Sequence, residues 1–67
     1  MNVFVNNNQH NIDTECNIRR LLEQLDILNF SGIAIAVNEQ VIPQKKWEEY
    51  ILKENDKVLL IKATQGG

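Results

Sequence analysis

The run Ile18-Arg19-Arg20-Leu21-Leu22-Glu23-Gln24-Leu25-Asp26-Ile27-Leu28 decides the fold, because its apolar residues keep a helical period and not a strand period. Ile18, Leu21, Leu22, Leu25 and Leu28 fall at i, i+3, i+4, i+7 and i+10, which places them on one stripe of a helix. Asn17 is the expected N-cap, since its side-chain oxygen accepts from an N–H of the first turn. Arg20 at the third helical position means there is no capping box. Asn29 is expected to end the helix in a left-handed turn. A single apolar stripe must be covered by another layer, and the flanking sequence supplies strands for it.

On the N-terminal side, Val3 and Val5 alternate with Asn2, Phe4 and Asn6, the period of a strand. Asn6-Asn7-Asn8 is a turn, because Asn tolerates left-handed backbone angles. Gln9 to Asp13 returns as a second strand with Ile12 inward. On the C-terminal side, Ile33-Ala34-Ile35-Ala36-Val37 is apolar throughout, as in a strand covered on both faces. Asn38-Glu39 turns the chain into a short partner, Gln40-Val41-Ile42, and Pro43 ends the pairing for want of an N–H. Gln44 to Leu52 reads as a short helical turn, with Trp47 and Ile51 at helical spacing. After a turn at Glu54-Asn55-Asp56, the run Val58-Leu59-Leu60-Ile61 is apolar on both sides and belongs in the middle of the sheet. The order β-β-α-β-β-(short helix)-β predicts one two-layer α+β domain over residues 1–67. With the last strand beside the first, this is the β-grasp, or ubiquitin-like, fold: a mixed five-stranded sheet packed on one main helix. Its expected core is Leu21, Leu22, Leu25, Val3, Val5, Val58 and Leu60.

Composition narrows the function. A chain of 67 residues buries only about 60% of its unfolded surface, so its apolar residues, 43% of the total, must carry the fold. The single cysteine, Cys16, excludes an intrachain disulfide, and no Cys/His cluster has metal-ligand spacing. A net charge of −2, with basic residues scattered and no aromatic residues among them, argues against nucleic-acid binding. The N-terminal residues carry no basic segment leading into a long apolar run, so no signal peptide is expected, and no run approaches a membrane span. The expected compartment is the cytoplasm, or the plastid stroma for an organelle-encoded chain.

The sequence closes on Gly66-Gly67. Neither residue has a Cβ, so a tail over 64–67, with Gln65 ahead of the glycines, can thread a narrow slot and present its carboxylate there. Extended, its last three residues reach about 10 Å. The other chemically capable side chains read as structural. Cys16 has no neighbouring base or second cysteine. His10 lies on a presumed strand without ligands at useful spacing. Trp47 reads as a core plug. Lys45-Lys46 and Glu48-Glu49 read as a solvated face. If Val58 and Leu60 face the helix, Leu59 and Ile61 emerge on the uncovered side of the sheet, and an exposed apolar patch marks a binding surface. Ile35 is expected as their neighbour on that face.

The segment Ala36-Val37-Asn38-Glu39-Gln40-Val41-Ile42-Pro43, then Trp47, then Asn55-Asp56-Lys57-Val58, then Gly66-Gly67, resembles the ThiS family, the sulfur carriers of thiazole (thiamin) biosynthesis. Leu21-Leu22-Glu23-Gln24-Leu25 resembles that family's helix, and the similarity runs over essentially the whole chain. Glu39 and Asn55 stand where the family has Gly; Asn55 suits a left-handed turn, whereas Glu39 suggests a different turn type. The resemblance implies that Gly67 is the sulfur-carrying C-terminus, with Gly66 and Gln65 as its tail and no catalytic residue in the chain. It also implies an E1-like adenylating enzyme that uses ATP, a thiazole synthase, and a cysteine desulfurase or other sulfur donor as partners, with no cofactor bound by the chain itself. The small subunit of molybdopterin synthase and a ubiquitin-like protein modifier share the fold and the tail, and are the alternative readings.

Overall fold

The computed structural model describes residues 1–63; Thr64, Gln65, Gly66 and Gly67, and with them the expected sulfur-carrying tail, lie outside the described residues. Two hairpins frame the sheet. β1 (Asn2–Val5) pairs antiparallel with β2 (Asn8–Asn11), and the Val5–Asn8 register leaves a two-residue loop, Asn6-Asn7, with φ of 50° and 70°. β3 (Ile33–Val37) pairs likewise with β4 (Gln40–Ile42) around Asn38-Glu39, with φ of 50° and 71°. Positive φ at both loop residues is the geometry of a type I′ turn, whose twist matches that of the flanking strands. Glu39 therefore adopts the left-handed geometry a glycine would take, and the turn type expected to differ does not. The lack of Gly is met with strain, and not with a new loop. Asn55 also takes the left-handed conformation expected of it, at φ 68°.

β5 (Lys57–Lys62) inserts between the hairpins, giving the strand order β2-β1-β5-β3-β4. It runs parallel to β1, with Phe4 opposite Lys57 and Val5 opposite Val58, and antiparallel to β3, from Ile33–Lys62 to Val37–Val58. The entry to β5 is pinned by side chains. Asp56, the one buried charged residue among those described, accepts from the Asn38 side chain (2.9 Å) and from the Lys53 N–H (2.8 Å). Asn38 in turn accepts from the Lys57 N–H at 3.0 Å. The Asp56 carbonyl receives the Phe4 N–H (2.9 Å), and the Asn55 N–H donates to the Asn2 carbonyl (2.7 Å). The turn between the hairpin strands and the turn before β5 are thus one hydrogen-bonded unit.

The helix α1 spans Ile18–Gln24 and is shorter than its apolar stripe suggests. Asn17 caps it as expected, its Oδ1 accepting from the Arg20 N–H at 2.7 Å. The helix ends not at Asn29 but at Leu25, where Asp26 turns left-handed (φ 61°). The Asp26 N–H then reaches the Glu23 carbonyl (3.0 Å) and the Ile27 N–H reaches the Leu22 carbonyl (2.9 Å). These two bonds form a Schellman motif, with Asp where Gly is usual, and they satisfy carbonyls that would otherwise be orphaned. Leu25 is accordingly only partly buried, and Leu28, past the helix, is 80% exposed.

Ile18, Leu21 and Leu22 are fully buried against Val3, Val5, Ile35, Val37 and Val58 on the facing side of the sheet. Leu60 packs at the margin of this core. Gln44–Lys46 forms a 3-10 turn that delivers Trp47 to the core at 2% exposure. Its Nε1 donates to the Ile42 carbonyl (2.8 Å), and its ring meets Phe30 edge-on at 5.5 Å. The chain then runs back along the helix N-terminus, with the Leu52 N–H on the Cys16 carbonyl at 2.8 Å.

The burial gradient along the stripe gives a ranked expectation. Leu22→Ala should cost about 2–5 kcal/mol, Leu25→Ala clearly less, and Leu28→Ala under about 0.5 kcal/mol, read by thermal denaturation. A Leu28→Ala loss matching that of Leu22→Ala would contradict the helix end described here. Relief of the left-handed Glu39 makes Glu39→Gly stabilising, by up to about 1 kcal/mol in urea titration.

Candidate functional site

The sheet has one face under the helix and one without cover. Alternation along β5 sends Val58 and Leu60 toward the helix and Lys57, Leu59 and Ile61 to the open face. Register then settles β3. Ala36 lies opposite Leu59 and Ala34 opposite Ile61, so the two alanines share the open face. Ile35 pairs with Leu60 and is only 1% exposed, in the core. This corrects its expected place beside Leu59 and Ile61: a strand apolar on both sides hides which side is covered, and Ile35 points to the helix. Val41, opposite Ala36 on β4, and half-buried Phe4 on β1 complete the open face.

Leu59, Ile61 and Val41 are 49%, 52% and 71% exposed. They stand proud of the small Ala34 and Ala36, so the face carries a shallow trough over β3, with Leu59 and Ile61 on one side and Val41 on the other. Sequence reasoning missed Val41, although its place across a two-residue turn from an apolar strand was a usable signal. A surface of this composition removes apolar area from water when covered, at about 25 cal/mol per Å².

The tail begins at the end of β5, which is held on both sides at different points. Lys62 pairs with Ile33, and the Ala63 N–H donates to the Gly32 carbonyl at 2.7 Å. Toward β1, the side chain of Asn6 takes both backbone groups of Leu60, accepting its N–H at 2.9 Å and donating to its carbonyl at 3.2 Å. The strand is thus tied as far as Ala63 on the β3 side and as far as Leu60 on the β1 side, next to the apolar side chains of Leu59 and Ile61. The expected tail residues Gln65, Gly66 and Gly67 lie beyond it, outside the described residues.

The remaining candidates are structural. Cys16 is buried, and its thiol donates to the Asn17 carbonyl at 3.4 Å. Burial pushes its pKa up, opposed by the nearby Arg20 and reinforced by Asp13, which disfavours the thiolate. His10 lies opposite Val3 on β2 and is half-buried. Arg19 pairs with Glu48, and Lys46 with Glu49 at 3.8 Å, all on solvated surface. Among the described residues, no group of three or more His, Cys, Asp or Glu side chains is placed to hold a metal ion. No helix among the described residues is long and apolar enough to cross a membrane.

A mixed sheet of order β2-β1-β5-β3-β4, crossed by one helix and with its last strand central, defines the ubiquitin-like β-grasp class. The ThiS family model matches residues 3–67, and the chain belongs to that family. It is similar to the sulfur carrier protein ThiS of Escherichia coli K12, with 38% identity over 50 residues, 75% of this chain and 74% of that protein. The crystal structure of the thiamine biosynthesis protein ThiS from Geobacter metallireducens superposes with a TM-score of 0.83 at 25% identity, over the full length of both chains. The solution structure of a thiamine biosynthesis protein from the same organism shares the fold, with a TM-score of 0.78 at 23% identity, over all of this chain and 88% of that one.

Proposed function

We propose that this chain is a sulfur carrier in which Gly67 is adenylated and converted to a thiocarboxylate that donates sulfur for thiazole formation in thiamin biosynthesis. The observation that carries the reading is that the family match runs through Gly66-Gly67; the exposed apolar side chains of Leu59 and Ile61 on the last strand before that tail support it. The chain is then a co-substrate and not an enzyme, and it works in the cytoplasm.

The chemistry requires partners. A carboxylate resists nucleophiles, because its charge and resonance oppose attack. An E1-like adenylating enzyme transfers AMP from ATP to the Gly67 carboxylate, releasing pyrophosphate and making an acyl-adenylate. A cysteine persulfide, charged by a desulfurase, attacks the acyl carbon with its outer sulfur and displaces AMP. A second thiol then cleaves the acyl disulfide, leaving the thiocarboxylate on Gly67 and a disulfide on the donor side. Thiazole synthase consumes the product. ATP binds the partner, so the carrier needs no cofactor of its own. Leu59 and Ile61 dock on both enzymes in turn, while Gln65 and Gly66 lead Gly67 into the reacting site. Burial of Cys16 supports the tail over the thiol as the sulfur site.

Incubation with the adenylating enzyme, ATP and a sulfur donor should raise the mass of the C-terminal peptide by about 16 Da, a shift that sulfenic acid on Cys16 would nearly match. Tandem mass spectrometry should place it on Gly67, Cys16→Ser should retain it, and deletion of Gly67 should abolish it. Sulfur found on Cys16, or sulfur transfer by the chain lacking Gly67, would overturn the reading.

Ile61→Asp should leave the fold intact, since the side chain is exposed, and weaken binding to both enzymes at least tenfold by burying a charge in an apolar contact. Unchanged affinity by calorimetry would move the docking surface elsewhere.

A further inference from the structure

β5 is held unevenly. On its β3 side it is paired from Val58 to Lys62. On its β1 side the strand register ends at Val58, with the Asn6 N–H donating to the Val58 carbonyl at 2.9 Å. At Asn6 the β1 backbone turns left-handed (φ 50°) and leaves the sheet for the hairpin loop. The next pair of β5 backbone groups on that side belongs to Leu60, and the Asn6 carboxamide meets both of them, at 2.9 and 3.2 Å. A carboxamide sets N–H donors and a C=O acceptor in one plane, as a peptide group does, so the side chain stands in for the missing strand residue.

We infer that Asn6 is a positioning residue for the C-terminal tail, its side chain extending the sheet to Leu60 so that β5 delivers the reacting terminus from a fixed origin. The inference rests on the carrier reading above. Leu60 lies between the docking residues Leu59 and Ile61, and three residues before the tail leaves Ala63. Docking sets the carrier on its partner through the neighbours of Leu60, and the tail must then carry Gly67 to one reacting position. Any play in β5 between the docked side chains and the tail spreads the positions Gly67 samples, and loss of near-attack geometry lowers the rate of the chemical step. Asn at this position therefore serves two ends: it tolerates the left-handed turn, and its amide clamps the strand.

Asn6→Gly separates the two. Glycine keeps the left-handed turn and removes only the carboxamide. Asn7→Gly is the matched control, because Asn7 (φ 70°) sits in the same loop and makes no side-chain hydrogen bond among the described residues. In Asn6→Gly the Leu60 amide should exchange with solvent roughly three- to tenfold faster or more, while the Val58-bonded Asn6 amide and the β3 amides keep their protection. The rate of adenylation at saturating partner enzyme, followed as ATP–pyrophosphate exchange, should fall roughly three- to tenfold, the worth of one or two neutral hydrogen bonds. Calorimetric affinity for the partner should stay within about twofold, since Leu59 and Ile61 remain. Asn7→Gly should match the parent chain in all three. An unchanged saturating rate in Asn6→Gly, with the Gly67 deletion inactive, would overturn the positioning role and leave the carrier reading standing. A chain lacking Gly67 that still accepts AMP and sulfur would remove the carrier reading and this inference with it.

Discussion

The parallel pairing of β1 with β5 is the constraint on which the rest of the molecule depends. It joins segments from opposite ends of the sequence, so no local propensity can form it, and closing so long a loop must be offset by everything that converges there. The convergence is visible. Asp56 ties the start of β5 to Asn38 in the far hairpin turn, its carbonyl takes the Phe4 N–H, and Asn55 reaches Asn2. Val58, directly behind this knot, is the β5 side chain packed most deeply with the helix residues. Removing Asp56 would leave Asn38 and the Lys53 amide without their partner in a half-dry setting, so this polar contact and the apolar core stand or fall together.

The two sheet faces divide labour by the rule of alternation. On β5, Val58 and Leu60 turn to the helix side, while Leu59 and Ile61 between and beyond them stay exposed on the open face. The small size of Ala34 and Ala36 matters on the open side, since larger residues there would level the trough between Val41 and the pair Leu59 and Ile61. On the covered side the same strand contributes Ile35 and Val37, both almost wholly buried. One strand thus presents bulky side chains inward and the smallest chiral ones outward.

Much of this was legible in the sequence. The helical stripe, the N-cap at Asn17, the two Asn-led turns, Trp47 as a plug and the central last strand all follow from period, backbone tolerance and continuity of apolar residues. What escaped has particular causes. Leu25 and Leu28 extend the stripe by spacing alone, yet Asp26 turns left-handed and closes the helix, a choice made by backbone hydrogen bonds to Leu22 and Glu23. Ile35 was misplaced because an all-apolar strand has no polar side to read; the Ile/Ala size alternation and the pairing with Leu60 carry the answer. Glu39 was expected to change its turn, but two-residue loop length dictates the turn type and the side chain conforms. The clamps made by Asn6 and Asn38 were hidden because a turn asparagine announces its backbone and says nothing of where its amide points.

The parallel arrangement of the terminal strands has a mechanical consequence. A pull applied at the C-terminal end of β5 against the N-terminal end of β1 acts along both strands in opposite directions. The bonds from Phe4 to Asp56 and from Asn6 to Val58, together with the Asn6 clamp on Leu60, lie across that load and share it. They must shear as a group, whereas bonds opened from one end of a hairpin would peel in turn. A machine that grips the tail while the start of β1 is held therefore loads these bonds together and not one by one.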